Sequence, residues 1–221
     1  MPDTFLGRPP LAGRRAGASD LWWKRPFDVV VGTLALLVAL PLIVCLAAAV
    51  ELEDAGPAFF AQDRVGLRGR QFRMWKLRTM RSGCEQATHQ RTAADWFTGR
   101  AAGDRYKTLA DPRITRVGRL LRRFDLDELP QLLNVLRGDM SLVGPRPAIA
   151  YELTHYEPAY FQRLAVPPGM TGLWQVSGRH RLSGPEMMEL DLRYVREASP
   201  WLDLRVLART GPALLASAAG R

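Results

Sequence analysis

Cysteine, histidine and lysine are all scarce in this chain of 221 residues. The two cysteines, Cys45 and Cys84, cannot build a disulfide framework or a four-ligand zinc site. The three histidines (His89, His155, His180) have no metal-ligand spacing, which excludes a zinc hydrolase of the HExxH type. No tract is low in complexity and 47% of residues are hydrophobic, so the chain is not disordered throughout. Its length suffices for one substantial domain, or a domain with appendages. Only Lys24, Lys76 and Lys107 are lysines among 31 basic residues; the rest are arginine, set against 22 acidic residues. A net charge of +9 asks for an anionic partner: nucleic acid, anionic lipid or a phosphorylated substrate. Arginine's forked guanidinium suits phosphate oxygens and lipid headgroups alike. No nucleic-acid-binding motif accompanies the charge, and a long apolar segment weighs against that partner.

Residues 1–20 are rich in Gly, Pro, Arg and Ala without apolar periodicity and read as a flexible basic tail. Residues 21–52 read as a membrane anchor. Trp22-Trp23-Lys24-Arg25 has the composition of an interfacial anchor, and Val29–Val50 is an uncharged run between Asp28 and Glu51. A signal peptide would be shorter and nearer the terminus. A simple spanning helix fits by length; a re-entrant hairpin, entering and leaving through one leaflet, is the alternative. Basic residues lie on both sides, Arg14, Arg15, Lys24 and Arg25 before, Arg64 to Arg81 after, and both flanks therefore favour the cytoplasm. Pro41, in the middle of the run, interrupts the hydrogen-bond ladder. Bent there, each arm reaches about 16 Å at roughly 1.5 Å per residue, enough for one leaflet. Charge and proline together favour the hairpin.

Residues 53–221 read as one membrane-surface domain, giving an α+β fold that is mostly helical. Residues 56–80 predict a small β-hairpin: Phe59-Phe60 opens a strand, Gly66 to Gly69 makes the turn, and residues 71–78 alternate polar with apolar. Residues 81–110 lack periodicity and read as a variable loop or irregular helix. Ile114, Val117, Leu120, Leu121 and Phe124 fall at helical spacing with Arg116, Arg119, Arg122 and Arg123 between them. This is a basic amphipathic helix, either at a membrane surface or on a core with a solvated arginine face. Leu129, Leu132, Leu133 and Leu136 predict a second helix that stops at Gly138. Residues 151–165 and 184–198 read as helices, with Pro167-Pro168-Gly169 as a breaker. A last amphipathic pair, Trp201–Leu207 and Leu214–Ala219, is interrupted at Gly211-Pro212.

The densest chemical constellation is RRFDLDELPQLLNVLRGDMSLVGPRP, residues 122–147. Asp127-Glu128 precedes Pro130, a residue tolerated in a helix's first turn, which puts Asp127 at or near a helix N-terminus. An ordinary N-cap is one reading of Asp127. Adjacent carboxylates on a helix, however, point about 100° apart, so one can face a phosphorus while the other holds a cation. Arg122 lies five residues before Asp127, and Arg146 sits between prolines that restrict its backbone. A carboxylate nucleophile, a metal-holding carboxylate and two arginines suit phosphoryl transfer. Lys76 and Arg78 (KLRTM) either help hold a diphosphate or lie on a solvated strand face. Gln175 is a further candidate for contact with a nucleotide or a lipid phosphate.

These stretches resemble the bacterial sugar transferases, the monotopic polyprenyl-phosphate phosphoglycosyl transferases. The resemblance rests on KRPFDVVVG (24–32), GPAFFAQDRVG (56–66), FRMWKLRTM (72–80), residues 111–147, PPGMTGLWQVSGR (167–179) and residues 191–215. It implies transfer of a sugar 1-phosphate from a UDP-sugar to a membrane polyprenyl phosphate with release of UMP, the first lipid-linked step of glycan assembly. By motif match Asp127 is the nucleophile that forms a covalent phospho-sugar intermediate, Glu128 is associated with Mg²⁺, and Arg122 and Arg146 contact phosphate. The family's membrane segment is re-entrant with a proline at its bend, here Pro41. Where many relatives have Ser before that proline, this chain has Leu40. Many relatives also carry N-terminal transmembrane helices, and this chain reads as the catalytic unit alone. The implied place is the cytoplasmic face of the bacterial inner membrane, in contact with its lipids; a homodimer is compatible with it. A catalytically silent scaffold using the same anchor is the competing reading, which the intact Asp127-Glu128, Arg122 and Arg146 argue against.

Overall fold

The computed structural model describes residues 21–81, 111–179 and 182–219. The tail 1–20 and nearly all of the 81–110 loop lie outside the described residues, as do Cys84, His89 and His180. Helices dominate, accompanied by two small sheets.

The chain enters the described part through α1 (Lys24–Glu53), then forms β1 (Phe59–Val65) and β2 (Gln71–Leu77). β1 and β2 pair antiparallel from Phe59↔Leu77 to Val65↔Gln71, the hairpin that the alternation predicted. Phe72, Met74 and Leu77 point into the core; Trp75 and Lys76 are half-buried. After the undescribed stretch come α2 (Arg116–Arg123), a 3-10 turn over Leu126–Glu128, and α3 (Gln131–Arg137). Helix α2 lies so close to the strand extension that a Cβ on Gly118 would stand 2.2 Å from the Thr79 carbonyl oxygen.

Several expectations are corrected. Residues 151–165 do not form one α-helix: two 3-10 segments, Ala150–His155 and Pro158–Ala165, meet at Tyr156-Glu157. Pro158 explains the break, because a residue before proline avoids the α region. The PPG breaker leads into a strand, β4 (Gly169–Thr171), parallel to β3 (Ser141–Val143). That pairing needs glycine, since a Cβ on Gly169 would meet the Gly144 nitrogen at 2.0 Å. Short helix α4 (Leu173–Ser177) follows, then α5 (Gly184–Glu197) with its Ser183/Glu186 capping box. Finally α6 (Pro200–Ala219) runs through Gly211-Pro212 without the expected interruption.

The main core gathers Phe72, Met74, Leu132, Val135, Val143, Tyr194 and Val206 from five elements, with Phe27, Val31 and Ala35 of α1 packed on it. A second cluster joins Val50 of α1 to Ala58, Leu77 and Leu121. Each such buried aliphatic side chain contributes about 1.5–3 kcal/mol relative to exposure. Helix α1 runs through Pro41, the position at which the two-arm hairpin was expected to bend, with its apolar outer face, including Leu34, Leu37 and Val38, exposed. Among the described residues α1 is the one helix long and apolar enough to cross a membrane.

Both ends of α1 are tied to this body. At the start, Lys24 Nζ binds Asp203 Oδ2 at 2.6 Å and the Tyr194 hydroxyl at 2.9 Å. Arg25 donates to the Val135 and Leu136 carbonyls at the end of α3, both at 2.6 Å, where a cation also complements the helix dipole. Asp28 accepts from Ser141 Oγ and Leu142 N. At the far end, Glu53 accepts from the Arg116 and Val117 backbone N–H groups, capping α2.

Candidate active site

Asp127 does not cap a helix. It sits inside the 3-10 turn that Asp125 opens with a left-handed backbone (φ 52), while Pro130 precedes the first residue of α3. The turn presses Asp127 inward, to 4% exposure, and leaves Glu128 half-exposed. Two flanking elements bring cations to this turn. From α2, Arg122 faces Asp127, and its Nε donates to Thr79 Oγ1 at 2.9 Å, which fixes the guanidinium against the strand extension. Burial lowers the Arg122 pKa from its ordinary value, an effect that the negative charges of Asp127 and Asp111 oppose. From β2, Lys76 Nζ pairs with Glu128 Oε1 at 2.9 Å. Asn134 holds β2 and α3 in register: its Oδ1 accepts from Trp75 N at 3.0 Å and its Nδ2 donates to Arg73 O at 2.8 Å.

Of the residues singled out from the sequence, Asp127, Glu128, Arg122 and Lys76 therefore meet at one place. Gln175, on α4, lines a cleft together with Glu128. Arg146 makes its ion pair elsewhere, its Nη1 donating to both Glu152 carboxylate oxygens at 3.1 and 3.0 Å. Arg78 ties β2 to the exit of α1 through Asp54 Oδ2 at 2.9 Å and the Asp54 and Ala55 carbonyls. Pro41 lies within α1.

Two residues escaped the sequence reading. Asp125, two positions before Asp127, forms a 2.6 Å ion pair with Arg179, and both line the cleft beside Glu128. Their pairing spans 54 positions and no local pattern announces it; the one available signal was an arginine closing the Gly-rich stretch 169–179.

Among the described residues no three His, Cys, Asp or Glu side chains converge as a metal cage. Mg²⁺ does not need one, since it commonly takes one or two protein carboxylates and completes its shell with water and substrate phosphate. Asp127 and Glu128 offer two hard oxygen donors on consecutive residues, a donor set that fits this substrate-shared mode.

The buried carboxylate, its arginine and the adjoining cleft belong to a chain that matches the family described as bacterial sugar transferase over residues 19–217. The protein is a member of that family. It is 40% identical over 200 residues to an undecaprenyl-phosphate galactose phosphotransferase of Salmonella typhimurium, covering 90% of this chain and 42% of that protein. It is 43% identical over 205 residues to a UDP-glucose:undecaprenyl-phosphate glucose-1-phosphate transferase of Caulobacter vibrioides, with 87% and 69% covered. The exopolysaccharide production protein ExoY of Rhizobium meliloti is 40% identical over 196 residues, with 88% and 86% covered. The chain spans about two fifths of the length of the larger curated relatives it matches.

Proposed function

We propose that this protein transfers a sugar 1-phosphate from a UDP-sugar to undecaprenyl phosphate, releasing UMP, as the first membrane step of exopolysaccharide or glycoconjugate assembly. The observation that carries this reading is the buried Asp127 carboxylate facing Arg122, next to a Glu128 already paired with a cation. An Asp127 oxygen attacks the β-phosphorus of the UDP-sugar; the bond from that phosphorus to the bridging oxygen breaks and UMP leaves. Asp127 then carries the sugar phosphate. A phosphate oxygen of the polyprenyl acceptor attacks the same phosphorus, the bond to Asp127 breaks, and the carboxylate is restored. Splitting the transfer in this way lets two anionic substrates use one set of charges in turn.

Both substrates repel a carboxylate, so positive charge must be in place before attack. Arg122 supplies it next to Asp127, and Lys76, Arg78, Arg146 and Gln175 complete the phosphate-binding set by motif. Glu128, with Asp127 beside it, would hold Mg²⁺, which neutralises phosphate charge when bound. Asp127→Asn tests the assignment directly. It should abolish UMP release from the accepted UDP-sugar, by about three orders of magnitude or more, while leaving the protein folded. Full activity in that variant would end the covalent reading.

The same proposal places α1 in one leaflet of the inner membrane with the site at the cytoplasmic surface. A straight helix of this length would be about 45 Å long and carry its ends to opposite sides of a hydrocarbon core of about 30 Å. Yet Lys24, Arg25 and Glu53 all bond to the one body that holds the site. Trp22→Cys and Leu52→Cys, each in a background lacking Cys45 and Cys84, should both react with a membrane-impermeant thiol reagent from the cytoplasmic side alone. Labelling of the two from opposite sides would make α1 a span.

A further inference from the structure

Next to Glu128 lies a cleft with two chemically distinct parts. Its polar lining residues are Asp125, paired with Arg179, Glu128, which follows Asp125 by one 3-10 turn, and Gln175 on α4, which ends just before Arg179. The remaining wall is apolar, built chiefly by Leu142, Met170, Val176, Leu207, Ala213 and Leu214. Thr171 and Thr210 also line it, but their hydroxyl protons are taken. Thr210 donates to the Val206 carbonyl at 2.8 Å, which leaves Thr171 to donate to Thr210 at 2.9 Å. Arg179 is different. Its Nη2 meets Asp125 Oδ2, while Nε and Nη1 are buried and donate to nothing. Its backbone is left-handed (φ 49), a conformation uncommon for a side chain of this size, and it is held there at the cleft wall.

We propose that this cleft is the acceptor subsite, in which Arg179 receives the phosphate of the polyprenyl phosphate and the apolar wall takes its first isoprene units. The inference rests on the transfer reaction proposed above and adds the place where the second substrate waits. A partly exposed arginine at the cleft wall with two nitrogens that lack a hydrogen-bond partner calls for an anion. The apolar wall calls for a hydrocarbon attached to that anion. Gln175 Oε1, buried without a hydrogen-bond partner, belongs to the polar end of the cleft, while along the apolar wall the two threonine protons are already committed, which leaves that wall to hydrocarbon. Helix α6 supplies the route as well: Leu207, Ala213 and Leu214 line the cleft, while Trp201, Leu204 and Leu215 on a neighbouring face of the same helix are exposed, so apolar surface continues outward. In the second half of the reaction a phosphate oxygen held by Arg179 attacks the phosphorus on Asp127, and the Asp127 carboxylate is the leaving group.

The test separates the two half-reactions. Ala213→Phe narrows the cleft at a half-buried position. It should raise the KM for polyprenyl phosphate about tenfold or more while the KM for the UDP-sugar stays within about twofold, and sugar phosphate should accumulate on the enzyme. A rise in the UDP-sugar KM with an unchanged acceptor KM would give the cleft to the nucleotide and overturn the proposal. Photolabelling of the unaltered protein with a diazirine-bearing short-chain polyprenyl phosphate provides a readout independent of turnover and of the variant's folding. Label on Leu207, Ala213 or Leu214, reduced in Arg179→Gln, supports the subsite; label confined to α1 overturns it. Specific labelling of the cleft in a protein that releases UMP from no UDP-sugar would sink the transfer reading but leave the lipid site standing.

Discussion

The pairs at Asp127 and Glu128 and those around Arg163 use the same side chains to different ends. Lys76–Glu128 is partly open to solvent and borders the cleft, and Arg122, next to Asp127, donates to the Thr79 hydroxyl. The other group is shut inside. Arg163 is 2% exposed; it pairs with fully buried Asp191, donates to the Arg146 carbonyl at 2.8 Å, and lies 5.6 Å from the Tyr156 ring centroid. Glu152, also fully buried, accepts from Arg146 Nη1 and from Ile149 N. Charge that solvent and ligand can reach is available for work, whereas the closed Arg163–Asp191 pair fixes the loop between β3 and β4; half-buried Arg146 stands between the two groups. The two buried acids differ as well. Burial acts to raise the Glu152 pKa, but the charges of Arg146 and Arg64 and two hydrogen bonds outweigh it and hold it at about 2. Burial pushes Asp191 up to about 6, against the opposing charge of Arg163.

The comparison breaks most visibly if the buried cation is removed. Arg163→Met leaves Asp191 enclosed without its main partner and should cost about 3–5 kcal/mol of stability at pH 7.5, read from urea unfolding. The KM values of the folded fraction should not move; a change there would mean that the buried group also serves the substrate.

Acid and base then separate the two carboxylates. Glu152, depressed from 4.5 to about 2, contributes stability that is present above pH 4.5 and lost as the pH falls toward 2, up to roughly 3 kcal/mol. Asp191, raised from 3.8 to about 6, acts in the opposite direction: its contribution is present below about pH 4 and lost as the pH rises through 6. Melting temperature against pH should show a shallower acid limb in Glu152→Gln, the remainder belonging to other depressed carboxylates such as Asp111, and a shallower decline between pH 4 and 6.5 in Asp191→Asn. Unchanged profiles would remove the network from the protein's pH response.

The smallest stability effect belongs to the open pair. Lys76→Met should change stability by about 1 kcal/mol or less, because the pair is partly solvated, yet lower transfer about tenfold or more through Glu128. A large stability loss without loss of transfer would move Lys76 into the structural group.

Much of this was legible beforehand where the signal was local. The hairpin announced itself by alternation and a Gly66–Gly69 turn, and α3 by leucine spacing up to Gly138. Even there Leu133 proved exposed and Asn134 buried, because Asn134 serves β2 rather than the leucine stripe. Strands β3 and β4 are three residues each, too short for alternation to register. The run 151–165 read as one helix, which Pro158 overruled, and Gly211-Pro212 carried a stop signal that α6 passes. Val206 and Leu207, packed in the main core, and the hydrogen bond from Arg123 to the Ala218 carbonyl hold α6 on both sides of the proline.

What the sequence determined by itself was chemistry and local form: the Asp127-Glu128 pair, the surplus of arginine, the apolar run and the family these imply. These are written in composition and short spacing, which need no knowledge of what lies across the fold. The tertiary structure alone decided which arginine serves which carboxylate. Arg122 reaches Asp127 because Gly118 lets α2 close on Thr79, Arg146 turns to Glu152, and Arg179 arrives from 54 residues away to stand beside Asp125. Burial and charge pairing depend on distances between remote segments, and chain closure sets those distances.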